Sequence, residues 1–321
     1  AVRLDLDRWS TRGVEGHFDG DSGWYRYHER LAGPLADLLG AEPREVVAMN
    51  SLTVNLHLML TSFFRPDSGR RRILIERHAF PSDRFAIQSQ LTIHGLDPVT
   101  DCVELDPEGG RLSADALDHE LRLQAGRVAL VLLPGVQFLS GEALDLAACA
   151  DVARRHGCAI GFDLAHAIGN LDLDLRRSEP DFAVWCSYKY LNGGPGAIGG
   201  CFVNRRRVDD ASLPRLAGWW GHDPDSRFAA ERFQPVKSAD AWQLSNPPIL
   251  AMTSLIPSLQ LFHEAGMTEL RAKSLALTGF LELGIRERLG GAVESITPSQ
   301  PERRGCQLSL RLDGGSGHAV F

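Results

Sequence analysis

Short runs of uninterrupted apolar residues, each leading into a segment of helical spacing, limit what this chain can become. Val46–Met49, Ile73–Ile75, Val128–Leu133, Cys158–Phe162 and Phe182–Trp185 read as strands buried on both faces. Between them Leu52, Leu56, Met59 and Phe63 keep one helical face. The segments from Pro81 to about Ile93, Leu112 to Leu123 and Leu144 to His156 also read as helices. Alternation of this kind predicts an α/β fold, a mainly parallel sheet with helices on both faces. Ligands of such sheets sit beyond the carboxyl ends of the strands. Thr53, Phe80, Asp163 and Lys189 all fall at such ends or just past them.

The strand Phe182–Trp185 runs into Cys186-Ser187-Tyr188-Lys189-Tyr190-Leu191-Asn192-Gly193-Gly194. A lysine delivered by a buried strand into a glycine-rich turn is unusual, because most lysines are solvated. Desolvation eases loss of its proton, which suits an amine that must attack a carbonyl. The aldehyde of pyridoxal phosphate is a lasting partner for such an amine. That cofactor needs a lysine, for which Lys189 is the candidate, and a carboxylate for its ring nitrogen, for which Asp163 is. Phe80 can cover a ring face, and Leu52, Thr53 and Tyr188 can seat the phosphate. Each residue alone has a plainer reading. Thr53 can serve as a helix cap, Phe80 as a hydrophobic staple, Asp83 as a partner of the helix dipole, and His17 as a solvated loop histidine.

Composition narrows the class further. The 321 residues are 44% hydrophobic and 23% charged, with net charge -7 and only short arginine clusters. Nucleic-acid and membrane partners are therefore not expected: there is no basic face, and no apolar run of roughly 20 residues. The six cysteines lack metal or disulfide spacing and read as reduced core thiols of a cytoplasmic protein, with no metal site. Residues 1–40 read as an N-terminal lead-in with a helix from Tyr27 to Leu39. Residues 41–265 read as a large cofactor-binding domain, and 266–321 as the start of a small α+β domain. The pattern from Ile249 to Leu289 is helical, and Cys306–Leu312 alternates as a strand. That strand has no later partner before Phe321. The small domain is thus expected to be incomplete and the chain to belong to a longer product. Trp219 and Trp220 between glycines suit an interface or a pocket wall.

Long segments in order resemble the kynureninase family. They are Asn50–Leu58, Ala79–Asp83, Gly161–His166, Trp185–Asn192, Gly218-Trp219 and Ser245–Leu250. The resemblance implies a homodimeric pyridoxal-phosphate enzyme of fold type I, the aspartate-aminotransferase fold. It implies hydrolysis of L-kynurenine or 3-hydroxykynurenine to anthranilate or 3-hydroxyanthranilate plus L-alanine, in tryptophan catabolism and NAD biosynthesis. Lys189 then carries the cofactor and moves the substrate α-proton. Asp163 pairs with the ring nitrogen, with Asp83 beside it, and His166 supports the cofactor. Leu52, Thr53 and Tyr188 bind the phosphate, with Tyr188 also an acid–base group, and Phe80 stacks on the ring. Trp219 and Asn246 line the site across the dimer, and His17 faces the substrate ring. Pro134 stands where some relatives have a serine on the cofactor. The family's arginine for the substrate carboxylate falls beyond Phe321. Competing readings are another fold-type I enzyme, an aminotransferase or a cysteine desulfurase, or a truncated homologue that binds the cofactor without turnover. A nicotinamide fold lacks its GxGxxG after a strand.

Overall fold

The computed structural model describes residues 1–20, 23–107 and 111–312. Its centre is a seven-stranded sheet. In chain order the strands are β1 (Val46–Ala48), β2 (Arg72–Glu76), β3 (Cys102–Leu105), β4 (Val128–Pro134), β5 (Ala159–Asp163), β6 (Phe182–Trp185) and β7 (Gly200–Val203). Their spatial order is β1-β7-β6-β5-β4-β2-β3. The pairs β2–β3, β2–β4, β4–β5 and β5–β6 are parallel. Only β7 runs the other way, antiparallel to both β6 and β1. The carboxyl ends of β1, β2, β4, β5 and β6 therefore share one edge.

Why these strands are apolar throughout is visible in β4. Val131 and Leu133 belong to one hydrophobic cluster, and Leu130 and Leu132 to the other. A strand covered on both faces has no wet side, so its alternation disappears from the sequence. The helices are α1 (Val2–Arg12), α2 (Glu29–Leu39), α3 (Leu52–Phe63), α4 (Pro81–Ile93), α5 (Ala114–Leu123), α6 (Leu146–Arg155), α7 (Leu175–Ser178), α8 (Arg205–Val208), α9 (Ile249–Thr253), α10 (Leu255–Ala265) and α11 (Met267–Leu289). Helices α2, α5, α6 and α10 cover the first face through Leu35, Leu117, Val152 and Leu259. Helices α3 and α4 cover the second through Met59, Phe63 and Ile87. Caps set several boundaries: Ser113 and Asp145 accept from the Ala116 and Ala148 amides, and left-handed Gly40 ends α2.

Two features differ from the sequence reading. The first is α1, in a stretch with no apolar stripe; Leu4 and Trp9 are exposed. It is held by a buried carboxylate instead. Asp5 accepts hydrogen bonds from Trp24 Nε1 at 3.1 Å, Tyr27 OH at 2.6 Å and Thr253 Oγ1 at 2.8 Å. The second is the last strand, β9, which spans only Leu310–Leu312 and pairs antiparallel with an earlier strand, β8 (Val293–Ser295). The Cys306–Ser309 stretch is tied by polar groups: the Cys306 amide donates to Asn170 Oδ1 at 3.0 Å, and Gln307 Nε2 donates to the Phe138 carbonyl at 2.9 Å. The helical pattern expected from Ile249 to Leu289 is carried by α9, α10 and the long α11, with Gly266 at positive φ between the last two. Among the described residues no helix is long and apolar enough to cross a membrane, and no cluster of His, Cys, Asp or Glu could hold a metal ion.

Candidate active site

The shared strand edge carries a pocket. Strand ends supply Glu76 (β2), Pro134 (β4) and Asp163 (β5), while Tyr188 and Lys189 follow β6. Leu52 and Thr53 enter from the start of α3, and Phe80, Ser82 and Asp83 from the start of α4. The turn from β1 into α3 is shaped by side chains. Asn50 takes a left-handed backbone with φ 48°, its Nδ2 donates to Asn55 Oδ1 at 3.0 Å, and Asn55 Nδ2 donates to the Met49 carbonyl at 2.8 Å. Gly199 passes so close that a Cβ there would lie 3.2 Å from the Leu52 nitrogen. Ser51 occupies the N-cap but its side chain makes no capping bond. The first amides of α3 are thus left for a ligand, and the positive helix end favours an anion. Thr53 Oγ1 lies 2.7 Å from Ser82 Oγ, linking the two helix starts.

Charge is concentrated at the closed end. Asp163 is buried and its Oδ1 accepts from the Ala165 amide at 2.7 Å. Burial pushes its carboxyl up. Asp83, also buried, hydrogen-bonds Asp163 and is pushed up further, by burial first and then by the Asp163 charge. A hydrogen bond between two carboxyls needs a proton on one of them, and burial of both favours keeping one there. Asp83 Oδ1 has no partner. Across the pocket Lys189 Nζ lies 2.9 Å from His166 Nε2 and 5.6 Å from the Phe80 ring centroid. His166 is pulled down to about 4, by burial and then by the Lys189 charge, so its ring is neutral at pH 7 and Nε2 accepts from Nζ. Tyr188 is 56% exposed at the mouth, and burial of its inner part raises its phenol. Phe80 is 43% exposed, its ring edge-on to Phe138 with centroids 5.3 Å apart.

Pyridoxal phosphate fits this donor set. Its aldehyde calls for an amine, its ring nitrogen for a carboxylate, its flat face for a ring and its phosphate for amides. The pocket offers Lys189, the Asp163–Asp83 pair with an oxygen unsatisfied, Phe80, and the uncapped start of α3.

Of the residues expected at the site, the structure brings together Leu52, Thr53, Phe80, Asp83, Asp163, His166, Tyr188 and Lys189. Pro134 lines the same pocket. His17, Trp219 and Asn246 are not among its lining residues. His17 is half-buried against Trp24, edge-on at 5.4 Å, so it is neither a free loop histidine nor beside its own chain's pocket. Trp219 is 41% exposed, 4.9 Å from the Phe228 ring, with Arg227 stacked 5.4 Å away. Arg227 in turn donates to Tyr25 OH at 3.2 Å, and Tyr25 stacks on Phe18 beside His17. Gly218 packs on Leu244, two positions before the exposed Asn246. His17, Tyr25 and Trp219 are thus joined through Phe18 and Arg227, and neither they nor Asn246 line the lysine pocket.

Glu76 was missed in the sequence. It is only 4% exposed at the end of β2, and burial raises its carboxyl to about 7, with Glu142 and Asp163 adding repulsion and Gln137 and Arg84 opposing it. Its signal was a lone acid closing an apolar run, Ile73-Leu74-Ile75-Glu76. A carboxyl raised on folding leaves stability intact at low pH and loses it as pH climbs from the unfolded value toward the folded one. Glu76→Gln mimics the protonated acid. Relative to wild type it should therefore gain up to about 3 kcal/mol between pH 4.5 and 8. Urea unfolding of both proteins without cofactor, across that range, measures the difference. A difference that does not change with pH would mean that Glu76 holds no extra proton.

Several solved structures share this fold. The chain superposes on the cystine C–S lyase C-DES, described with its product cysteine persulfide. The TM-score is 0.82 at 19% identity, over 99% of this chain and 81% of that one. It matches a cysteine desulfurase from Thermococcus onnurineus NA1 with TM-score 0.78 at 17% identity, over 99% and 77% of the two chains. These likenesses establish the fold, fold type I. Sequence comparison is more specific. The kynureninase of Xanthomonas euvesicatoria pv. vesicatoria (strain 85-10) is 54% identical over 98% of this chain and 76% of that protein. The kynureninase of Stenotrophomonas maltophilia (strain K279a) is 52% identical over 100% and 77%. The model of the kynureninase C-terminal domain matches residues 270–320. The chain belongs to the kynureninase family.

Proposed function

We propose that this chain holds pyridoxal phosphate on Lys189 and hydrolyses the Cβ–Cγ bond of L-kynurenine or 3-hydroxykynurenine, releasing L-alanine and the aromatic acid, in tryptophan catabolism and NAD biosynthesis. Membership of a family of carbon–carbon bond hydrolases supports the reaction. The observation that carries the reading is the meeting of Lys189, the Asp163–Asp83 pair and the uncapped start of α3 in one pocket. Residues 41–265 are then the cofactor-binding unit and 266–321 belong to a smaller second unit, in a cytoplasmic enzyme.

Bound there, pyridoxal phosphate supplies an electron sink for charge released at the substrate's α- and β-carbons. Lys189 Nζ takes and returns the proton at Cα, while neutral His166 accepts a hydrogen bond from it and fixes its direction. Asp163, backed by Asp83, holds the ring nitrogen protonated. Leu52 and Thr53 seat the phosphate, and Phe80 covers one face. Tyr188, whose raised phenol keeps its proton, is the acid at the pocket mouth that protonates Cβ. General acid–base steps of this kind are worth roughly 10²–10⁴-fold each. The test is direct. Cofactor-saturated protein should release alanine in equal amount with anthranilate from kynurenine, or with 3-hydroxyanthranilate from 3-hydroxykynurenine, and the two kcat/KM values rank the substrates. Cofactor binding without alanine release would sink the assignment.

The surface formed by His17, Trp219 and Asn246 completes the pocket of a second copy in a homodimer. It is aromatic, partly exposed and away from the lysine of its own chain. Mixing inactive Lys189→Ala chains with inactive Trp219→Ala chains should restore part of the activity, because one site of each hybrid has both residues intact. Hybrids that form without regaining activity would place Trp219 in its own chain's site.

A further inference from the structure

Away from this pocket, buried positive charge is left unbalanced. Arg271, Ser274, Thr278 and Glu282 share one face of α11 by their spacing. Arg304 lies along that face. Its carbonyl accepts from Arg271 Nη2 at 2.6 Å, and its own Nη2 reaches Glu282 Oε2 at 2.9 Å. Arg304 is 1% exposed, yet its Nε and Nη1 have no partner. Arg271 Nη1 and Ser274 Oγ, also buried, have none either. Among the described residues Glu282 pairs with Arg304, and no carboxylate pairs with Arg271. Glu142 is paired with Arg303. Burial and the Arg304 charge together depress Arg271. Arginine does not shed its proton in proteins, so the imbalance cannot be relieved by titration. A buried cation needs a counter-charge. Arg271 also lines an open groove of about 1130 Å³, with Arg111, Arg177 and Arg303 set among the carboxylates of Asp115, Asp145, Asp172, Asp174 and Glu302, so solutes can reach Arg271.

The geometry points to a binding site for a small oxyanion, a carboxylate or a phosphate, between Arg271, Ser274 and Arg304. Planar guanidinium groups match the paired oxygens of such ions, and a hydroxyl adds a third donor. The site is separate from the cofactor seat, since none of the three residues lines the lysine pocket. It adjoins the segment through Cys306, whose amide is held by Asn170. Asn170 Nδ2 donates in turn to the His166 carbonyl at 2.9 Å.

The test uses the holoenzyme after borohydride reduction, so that the phosphate seat of the cofactor stays filled. Inorganic phosphate, acetate and chloride are titrated separately at constant ionic strength, with thermal unfolding and calorimetry as readouts. Saturable stabilisation by phosphate alone marks a phosphoryl site, and by acetate as well a site that also takes carboxylates. Arg271→Gln and Ser274→Ala, both at partly exposed positions, should each weaken that binding by about tenfold or more. No saturable effect from either oxyanion, an equal effect from chloride, or undiminished binding in both variants would overturn the site.

Discussion

Lys189→Ala is expected to lower kynurenine cleavage by at least about 10²–10⁴-fold, the range for loss of a positioned acid–base group. The substitution also removes the only lysine among the residues lining the pocket, so the cofactor loses its covalent attachment. Two readouts separate this from general damage. Borohydride reduction of wild type, followed by peptide mapping, should place the pyridoxyl group on Lys189, and the variant should take up no label. Folding should be retained, because Lys189 is only partly buried and its polar partner is the neutral His166. Label on another lysine, or turnover near wild type, would overturn the role given to this residue.

The sheet was legible because burial on both faces leaves a mark in sequence. Leu130–Leu133 alternate between two cores, so every position is apolar. The turn after β6 and the ends of β2 and β5 were legible for the same reason: a charged residue closing an apolar run must sit where the sheet ends. By that rule Glu76 was as visible as Asp163, but it lacked a motif around it. Helix α1 was not legible. Its anchor is one carboxylate, Asp5, satisfied by Trp24, Tyr27 and Thr253 from elsewhere in the chain. No period records such a tie. The separation of Trp219 from its own chain's lysine was expected only from the family resemblance, which placed it across the dimer, and that of His17 was illegible, because residue type says what a side chain can do and not which pocket it reaches. Here the family resemblance named the residues, and the structure put His17, Trp219 and Asn246 on a surface away from the lysine pocket.

Asp163→Asn is expected to lower kcat by about 10²–10³-fold, the usual cost of removing one preorganised polar contact from a reacting centre. Shape is not the issue. Asn can keep its carbonyl oxygen on the Ala165 amide, as Asp163 Oδ1 does now at 2.7 Å. Its amide then donates where the carboxylate accepted, so the ring nitrogen loses the charge that holds its proton. Asp83 decides how complete the loss is. In wild type burial and then the Asp163 charge push its carboxyl up. With Asn at 163 that repulsion is gone and the Asn amide can donate to it, so Asp83 ionises more readily and replaces part of the missing charge. Asp83→Asn alone should therefore cost less than Asp163→Asn, and the double variant should fall below Asp163→Asn. The visible absorption of the bound cofactor, followed against pH, should shift in the same order. The chain without cofactor should not be destabilised by Asp163→Asn, since the carboxylate it removes is one that burial disfavours. Turnover near wild type in Asp163→Asn would remove this residue from the electron-accepting role. A double variant no worse than the single one would show that Asp83 lends no charge.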